Sequence, residues 1–234
     1  ASHELRTPLA SIQGYTQLLQ KGSADEELAL ARIASESARM SGLVEDLLLL
    51  ARLDAGRELA SDPVDLIPLA IDAVSDAHAA GPDHEWVLDL PQFDDEDEDC
   101  VSCTVAGDES ALRQVFANLV NNARIHTPAG TRVKVGVQVI GGGASAPGFV
   151  RMSVADDGPG IPPELRATVF DRFVRGDTSR SRQGKGSSGL GLSIVSSIAE
   201  ALGGRVDVDT VCEGEAKPGE HGTTFSVILP ALGE

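Results

Sequence analysis

Near its amino end the chain reads Ser2-His3-Glu4-Leu5-Arg6-Thr7-Pro8-Leu9. A neutral imidazole nitrogen is a competent phosphoryl acceptor, and a carboxylate beside it can hold or deprotonate the other ring nitrogen. Leu5 and Leu9 lie one helical turn apart and predict a buried face, which leaves His3 projecting off that face. Far downstream, Asn118 and Asn122 are also one turn apart, so their side-chain oxygens can ligate Mg2+ while water and phosphate fill its other positions. Asp156-Asp157-Gly158-Pro159-Gly160-Ile161 follows a β-rich run. Its glycines permit a sharp turn and close approach to a ligand, and the carboxylate of Asp156 can accept a hydrogen bond from an exocyclic amine. Lastly, Gly184-Lys185-Gly186-Ser187-Ser188-Gly189-Leu190-Gly191-Leu192 runs straight into an apolar helix, which presents free N–H groups to phosphate. No G-K-[ST] closes it, so it is not a Walker A loop. Each motif alone also has an ordinary structural reading: a solvated surface histidine, a polar helix face, a common turn.

Charge separates the function classes. The 234 residues carry 19 basic and 36 acidic side chains, a formal net charge of −17, which argues against broad binding to nucleic acid or anionic lipid. Residues 83–99 hold nine acids and no Lys or Arg, and the run at 94–99 reads as a solvated loop, since consecutive acids repel one another. Residues 166–185 are the reverse, with Arg166, Arg172, Arg175, Arg180, Arg182 and Lys185 against Asp171 and Asp177, a local anion site suited to phosphate. Cys100, Cys103 and Cys212 complete no zinc set and read as reduced thiols. With 3% aromatic residues the core must be aliphatic. No stretch approaches the ~20 apolar residues of a bilayer span, and no signal peptide is evident, so any membrane anchor is expected outside these residues.

These side chains need elements to position them. Leu30, Ile33, Ser37, Met40, Val44, Leu47 and Ala51 alternate in steps of three and four, a coiled-coil seam, and Leu5, Leu9, Ile12, Thr16 and Leu19 repeat the spacing upstream. Lys21-Gly22-Ser23-Ala24-Asp25 between them supplies a glycine stop and an N-cap, which predicts an antiparallel hairpin. Leu43, Leu48 and Leu50 add apolar surface that one hairpin cannot bury, so two copies forming a four-helix bundle are expected. Residues 55–63 read as a linker, because Pro63 lacks an amide donor and disfavours helix before it. Domains at residues 1–58 and 59–234 follow. In the second, helices are predicted at 66–80, 109–125 and 188–202 and strands at 85–90, 132–140, 149–155, 205–211 and 223–229, an α+β sandwich.

In this order the motifs resemble those of the sensor histidine kinases of bacterial two-component systems, over nearly the whole chain. Residues 2–9 are similar to that family's H box, 118–122 to its N box, 156–160 to its first glycine box, Phe170-Asp171-Arg172-Phe173 to its F box and 186–191 to its second glycine box. The resemblance implies a dimerisation and histidine-phosphotransfer hairpin, then an ATP-binding domain of the GHKL type shared with gyrase and the heat-shock ATPases. It implies an enzyme that autophosphorylates His3 from ATP and passes the phosphoryl group to an aspartate of a response regulator. Glu4 would assist the attack, and Thr7 would serve the reverse phosphatase step. Asn122 would hold Mg2+ with Asn118 in support, Asp156 would take the adenine amine, and Gly158, Gly160, Gly186, Gly189, Leu190 and Gly191 would belong to the glycine segments over the nucleotide. Arg172 and Arg175 would contact the γ-phosphate, His126 would stack on the nucleotide and Thr224 would line the adenine pocket. Ile125 stands where the family often has a phosphate-contacting Lys, and Arg124 either replaces that cation or is structural. The cytoplasmic portion of a membrane-anchored sensor is implied. The alternative is a nucleotide-responsive dimeric interaction module without kinase turnover.

Overall fold

The computed structural model describes residues 2–23, 25–91, 103–141, 148–174, 188–215 and 221–232, and the side chains from residue 5 onward within them. The side chains of His3 and Glu4, the acidic run at 94–99, Arg175 and Gly186 lie outside the described residues. The chain divides into two compact units, Ala1–Ala55 and Gly56–Glu234.

The first unit is the predicted hairpin of α1 (Ser2–Gln20) and α2 (Glu26–Asp54). Gly22, at φ 64°, ends α1, with the Ser23 amide donating to the Leu18 carbonyl. Asp25 then caps α2: its carboxylate accepts from the Leu28 amide at 3.0 Å, and Glu26 and Glu27 complement the helix dipole in the first turn. The buried positions of α2 are Ala29, Leu43 and Leu50, spaced in multiples of seven. Of the seam predicted at Leu30, Ile33, Ser37, Met40, Val44, Leu47 and Ala51, Ile33, Met40 and Leu47 are half-buried and share the three-four spacing of these buried positions, whereas Leu30 is 52% and Val44 44% exposed in the single chain. Leu43 and Leu50, expected as surface beyond one hairpin, are buried within it. On α1 Pro8 is buried and Leu9 is 45% exposed, the reverse of the expectation for Leu9. The helix continues through Pro8.

In the second unit, β1 (Asp62–Asp65) leads into α3 (Leu66–Ala80), followed by β2 (Glu85–Asp89), β3 (Thr104–Gly107), α4 (Glu109–His126), β4 (Arg132–Ile140), β5 (Phe149–Asp156), the short α5 (Pro163–Arg166), α6 (Gly191–Ala201), β6 (Arg205–Val211) and β7 (Gly222–Pro230). The main sheet runs β2-β4-β5-β7-β6, with β2 parallel to β4 and the other pairs antiparallel. β1 pairs with β3 in a separate two-stranded ribbon, Pro63 opposite Ala106. The linker thus ends before Asp62, because a two-stranded edge tolerates proline, as a central strand does not.

Period-two burial on the strands and period-3.6 burial on the helices meet in one core. Val133, Val135 and Val137 of β4, Val150, Met152 and Val154 of β5, and Phe225, Val227 and Leu229 of β7 are buried. Against them pack Leu112, Val115, Phe116 and Leu119 of α4 and Ile194, Val195 and Ile198 of α6. Each such side chain contributes about 1.5–3 kcal/mol by leaving water. The result is a layer of α3, α4 and α6 on a mixed sheet. Among the described residues no helix is long and apolar enough to cross a membrane.

Candidate nucleotide-binding site

Asp156 ends β5, flanked in register by Val133 of β4 and Thr223 of β7. Because Val150, Met152 and Val154 are buried under the helices, the same alternation turns Asp156 toward the helix layer. Burial pushes its carboxyl up to about 6, opposed by hydrogen bonds from the amides of Gly158 and Thr223, with the neighbouring Asp157 charge adding a smaller upward push. The Gly158 amide donates to Asp156 Oδ1 at 2.9 Å. Asp157 acts on the backbone instead, since its Oδ1 accepts from the Arg132 amide at 2.8 Å and closes the β4–β5 end.

The turn that follows requires its glycines. A Cβ on Gly158 would lie 2.6 Å from the Thr127 methyl carbon and 2.7 Å from Asp156 Oδ1. Gly160 sits at φ 77°, and a Cβ there would run into the Val211 carbonyl oxygen. Thr127, the residue capping α4, is buried and donates its hydroxyl hydrogen to the Ala123 carbonyl at 2.7 Å.

Asn118 lies earlier on α4, beside the second glycine segment. A Cβ on Gly191 would stand 3.4 Å from Asn118 Oδ1, and Asn118 Nδ2 is buried with no hydrogen-bond partner among the described residues. Asn122, half-buried, follows one turn later on the same side. Leu190 is fully buried and anchors the start of α6, where Ser193 Oγ donates to its carbonyl at 2.8 Å. The first-turn amides of α6 have no acceptor within the helix, so this end favours an anion. α4 thus touches both glycine segments, the first through Thr127 and the second through Asn118.

The F-box residues join this framework. Phe173 is the only described non-glycine residue with positive φ, 64°, and its amide donates to the Gly189 carbonyl at 2.8 Å. Phe170 meets Phe225 of β7 edge-on, with ring centroids 6.0 Å apart. Arg172 is exposed between them.

The structure moves three expected residues. Arg124 donates to Asn121 Oδ1 at 2.7 Å and lies against Gly81, in the groove between α3 and α4. Two residues turn a helix by about 200°, so Arg124 does not share the side of Asn122 and is not the substitute cation. Thr224 pairs with Ala155 on the far face of the sheet, whereas Thr223 stands directly across from Asp156. Arg166, counted in the basic segment, pairs with Glu215 at 2.6 Å and donates from Nε to the Ile161 carbonyl, so it holds a loop rather than a phosphate. Sequence reading passed over Thr127, Thr223, His84 and His221. Thr127 and Thr223 adjoin motifs already singled out, but nothing in the sequence marked the two histidines.

Two polar groups here suit a ligand: the buried amide donor of Asn118, without a partner among the described residues, and the desolvated carboxyl of Asp156. A purine nucleotide carries an acceptor-rich phosphate tail for the first and an amine for the second, and the Asn118 and Asn122 oxygens suit a hard cation such as Mg2+. Residues 107–233 match the family described as "Histidine kinase-, DNA gyrase B-, and HSP90-like ATPase". Residues 1–56 match the "His Kinase A (phospho-acceptor) domain". The chain belongs to the sensor histidine kinase family. A relative within that family, the probable sensor histidine kinase TcrY of Mycobacterium tuberculosis, is 51% identical over all of this chain and 45% of its own length. The signal transduction histidine-protein kinase/phosphatase MprB of Mycobacterium leprae is 33% identical over 98% of this chain and 42% of its own. Among solved structures, full-length ShkA in complex with AMPPNP is similar with a TM-score of 0.68 and 32% identity, covering 99% of this chain and 45% of that one. The chain spans less than half the length of these relatives.

Proposed function

We propose that this chain is the catalytic core of an ATP-dependent protein histidine kinase, with residues 1–58 as the dimerising phosphoacceptor domain and 59–234 as the ATP-binding domain. The observation that carries the reading is that one helix, α4, brings the Asp156–Gly160 turn and the Gly189–Gly191 segment together through Thr127 and Asn118. A chain that merely folded would not need an orphaned amide at that junction.

Asp156 accepts the adenine amine, and Thr223, rather than Thr224, borders it. Asn118 donates to the phosphates, and Asn122 holds Mg2+, which when bound neutralises charge on the phosphate oxygens. His126, at the exposed end of α4, stacks on the nucleotide. Arg172 and Arg175 contact the γ-phosphate, and Gly186, Gly189, Leu190 and Gly191 form the segment over it. His3 is the phosphoacceptor; Glu4 orients its imidazole and takes its proton. The phosphoryl group then passes to an aspartate of a response regulator, and Thr7 serves the reverse, phosphatase step, in keeping with the kinase/phosphatase name of MprB. The exposed apolar side chains of the hairpin support a homodimer. The whole protein is a membrane-anchored sensor, and among the described residues no helix is long and apolar enough to be the anchor.

Incubation with γ-labelled ATP tests the proposal. Acid-labile phosphate is expected on the wild-type chain, with its loss in His3→Gln while nucleotide binding is retained, and loss of both labelling and Mg2+-dependent binding in Asn122→Ala. Labelling that survives His3→Gln would overturn the assignment of His3, and nucleotide binding without any labelling would favour an interaction module.

A further inference from the structure

Two histidines outside the recognised motifs bear on the first glycine turn, one directly on its backbone and one through Thr127. His221, just ahead of β7, reaches the Gly158 carbonyl oxygen with Nδ1 at 2.7 Å. A carbonyl only accepts, so His221 carries its hydrogen on Nδ1. That carbonyl belongs to the residue whose amide donates to Asp156 Oδ1, so His221 and the Asp156 carboxylate both hold Gly158, one by its carbonyl and the other by its amide.

The second histidine, His84, which precedes β2, places Nε2 at 3.0 Å from Thr127 Oγ1. The single hydroxyl hydrogen of Thr127 is already committed to the Ala123 carbonyl, so this oxygen must accept, and His84 carries its hydrogen on Nε2. His84 Nδ1 is buried with no partner among the described residues, and the ring lies 5.7 Å from that of Trp86. Trp86 is itself pinned through Nε1 to the Gly81 carbonyl at 2.8 Å. The ring is thereby held in a single orientation. It fixes the Thr127 side chain, whose methyl group forms the wall against Gly158.

We propose that His221 and His84 are positioning residues for nucleotide binding, which use opposite ring nitrogens to fix the Gly158 turn and so aim the Asp156 carboxylate. This rests on the nucleotide reading of the site. Neither ring need touch the ligand. Both act on the binding surface before any chemistry, so their loss should raise KM for ATP and leave kcat nearly unchanged.

The opposite tautomers provide the test. An Asn amide mimics an Nδ1 donor and a Gln amide mimics an Nε2 donor. Calorimetric titration of the full chain with Mg-ADP should show His221→Ala binding ~3- to 10-fold more weakly, the worth of one hydrogen bond, with His221→Asn restoring affinity and His221→Gln not. At the second position the order should invert: His84→Gln restores what His84→Ala loses, and His84→Asn does not. Alanine variants that bind within twofold of wild type, or equal performance of Asn and Gln at both positions, would overturn the assignment. Wild-type chain that binds no Mg-ADP would instead remove the nucleotide reading, and this one with it. Thermal unfolding without nucleotide confirms that each variant is folded, and the Asn/Gln comparison stands even if an alanine variant is not.

Discussion

Asp156 is held at odds with its solvent preference, and that makes it the most informative single residue. Its carboxyl is raised by burial from 3.8 to about 6. Between roughly pH 4 and 6 the folded chain therefore keeps a proton that the unfolded chain has released, so this group's contribution to stability is present below about 4 and is lost as pH rises through 6. Ligand binding runs the other way, because the ionised carboxylate is the stronger acceptor for an amine. Adenine-nucleotide affinity should fall as pH is lowered through 6. Asp156→Asn should bind ~10-fold or more weakly at pH 7.5, be flat with pH across this window, and unfold no more easily than wild type without ligand. Titration calorimetry at pH 5, 6 and 7.5 with matching melts checks all three. The motif in sequence named this residue. Its raised pKa required knowing that β5 turns Asp156 under the helix layer.

Among the elements, α4 bears the site at several points. Asp108 starts it, its carboxylate accepting from the Ala111 amide at 3.0 Å, and Thr127 ends it against the glycine turn. Asp108→Ala is expected to cost about 1 kcal/mol, visible as a shifted urea midpoint with an unchanged slope. Most elements of this unit were legible because their apolar periods are long: α3, β4 and β6 occupy the predicted residues, α4, β2 and β5 differ by a residue at one end, β7 by a residue at each end, and α6 is shorter than the predicted 188–202 by three residues at its start and one at its end. The ribbon of β1 and β3 was not legible. Four residues with a proline give almost no period, and their pairing is made across some forty residues of chain. The face of α4 that carries Arg124 was similarly undecided, since Asn121 and Gly81 settle it through contacts that no local pattern encodes.

At the scale of the whole molecule, the two units answer to different physics. The second buries its own core, whereas the hairpin leaves large apolar side chains in water, including Leu48 at 53% exposure beside Val44 and Leu30. A second copy of the chain is the proposed cover. Sedimentation should give a dimer. Val44→Glu combined with Leu48→Glu, one turn apart, should shift the chain toward monomer, since each buried aliphatic side chain is worth about 1.5–3 kcal/mol and the two-fold axis counts it twice. Mg-ADP affinity should stay within twofold, because these positions lie in the other unit. Dimers that persist with both charges in place would show that another surface holds them.

Sequence alone determined the order of the chemistry. Aliphatic periods of two and 3.6 specify a hairpin followed by an α+β sandwich, and a histidine–glutamate pair, two asparagines one turn apart and two glycine segments stand in the order that resembles the sensor histidine kinases and so implies ATP binding, since motif spacing and burial pattern are both local properties of the chain. Tertiary structure alone decided which neighbours complete the site. It placed Thr223 and not Thr224 beside Asp156, turned Arg124 toward α3, gave Arg166 to Glu215, and set His84 on Thr127 and His221 on Gly158. Those choices depend on strand register and helix rotation, where one residue reverses a face of a sheet or turns a helix by about 100°, and only packing of the complete core fixes either.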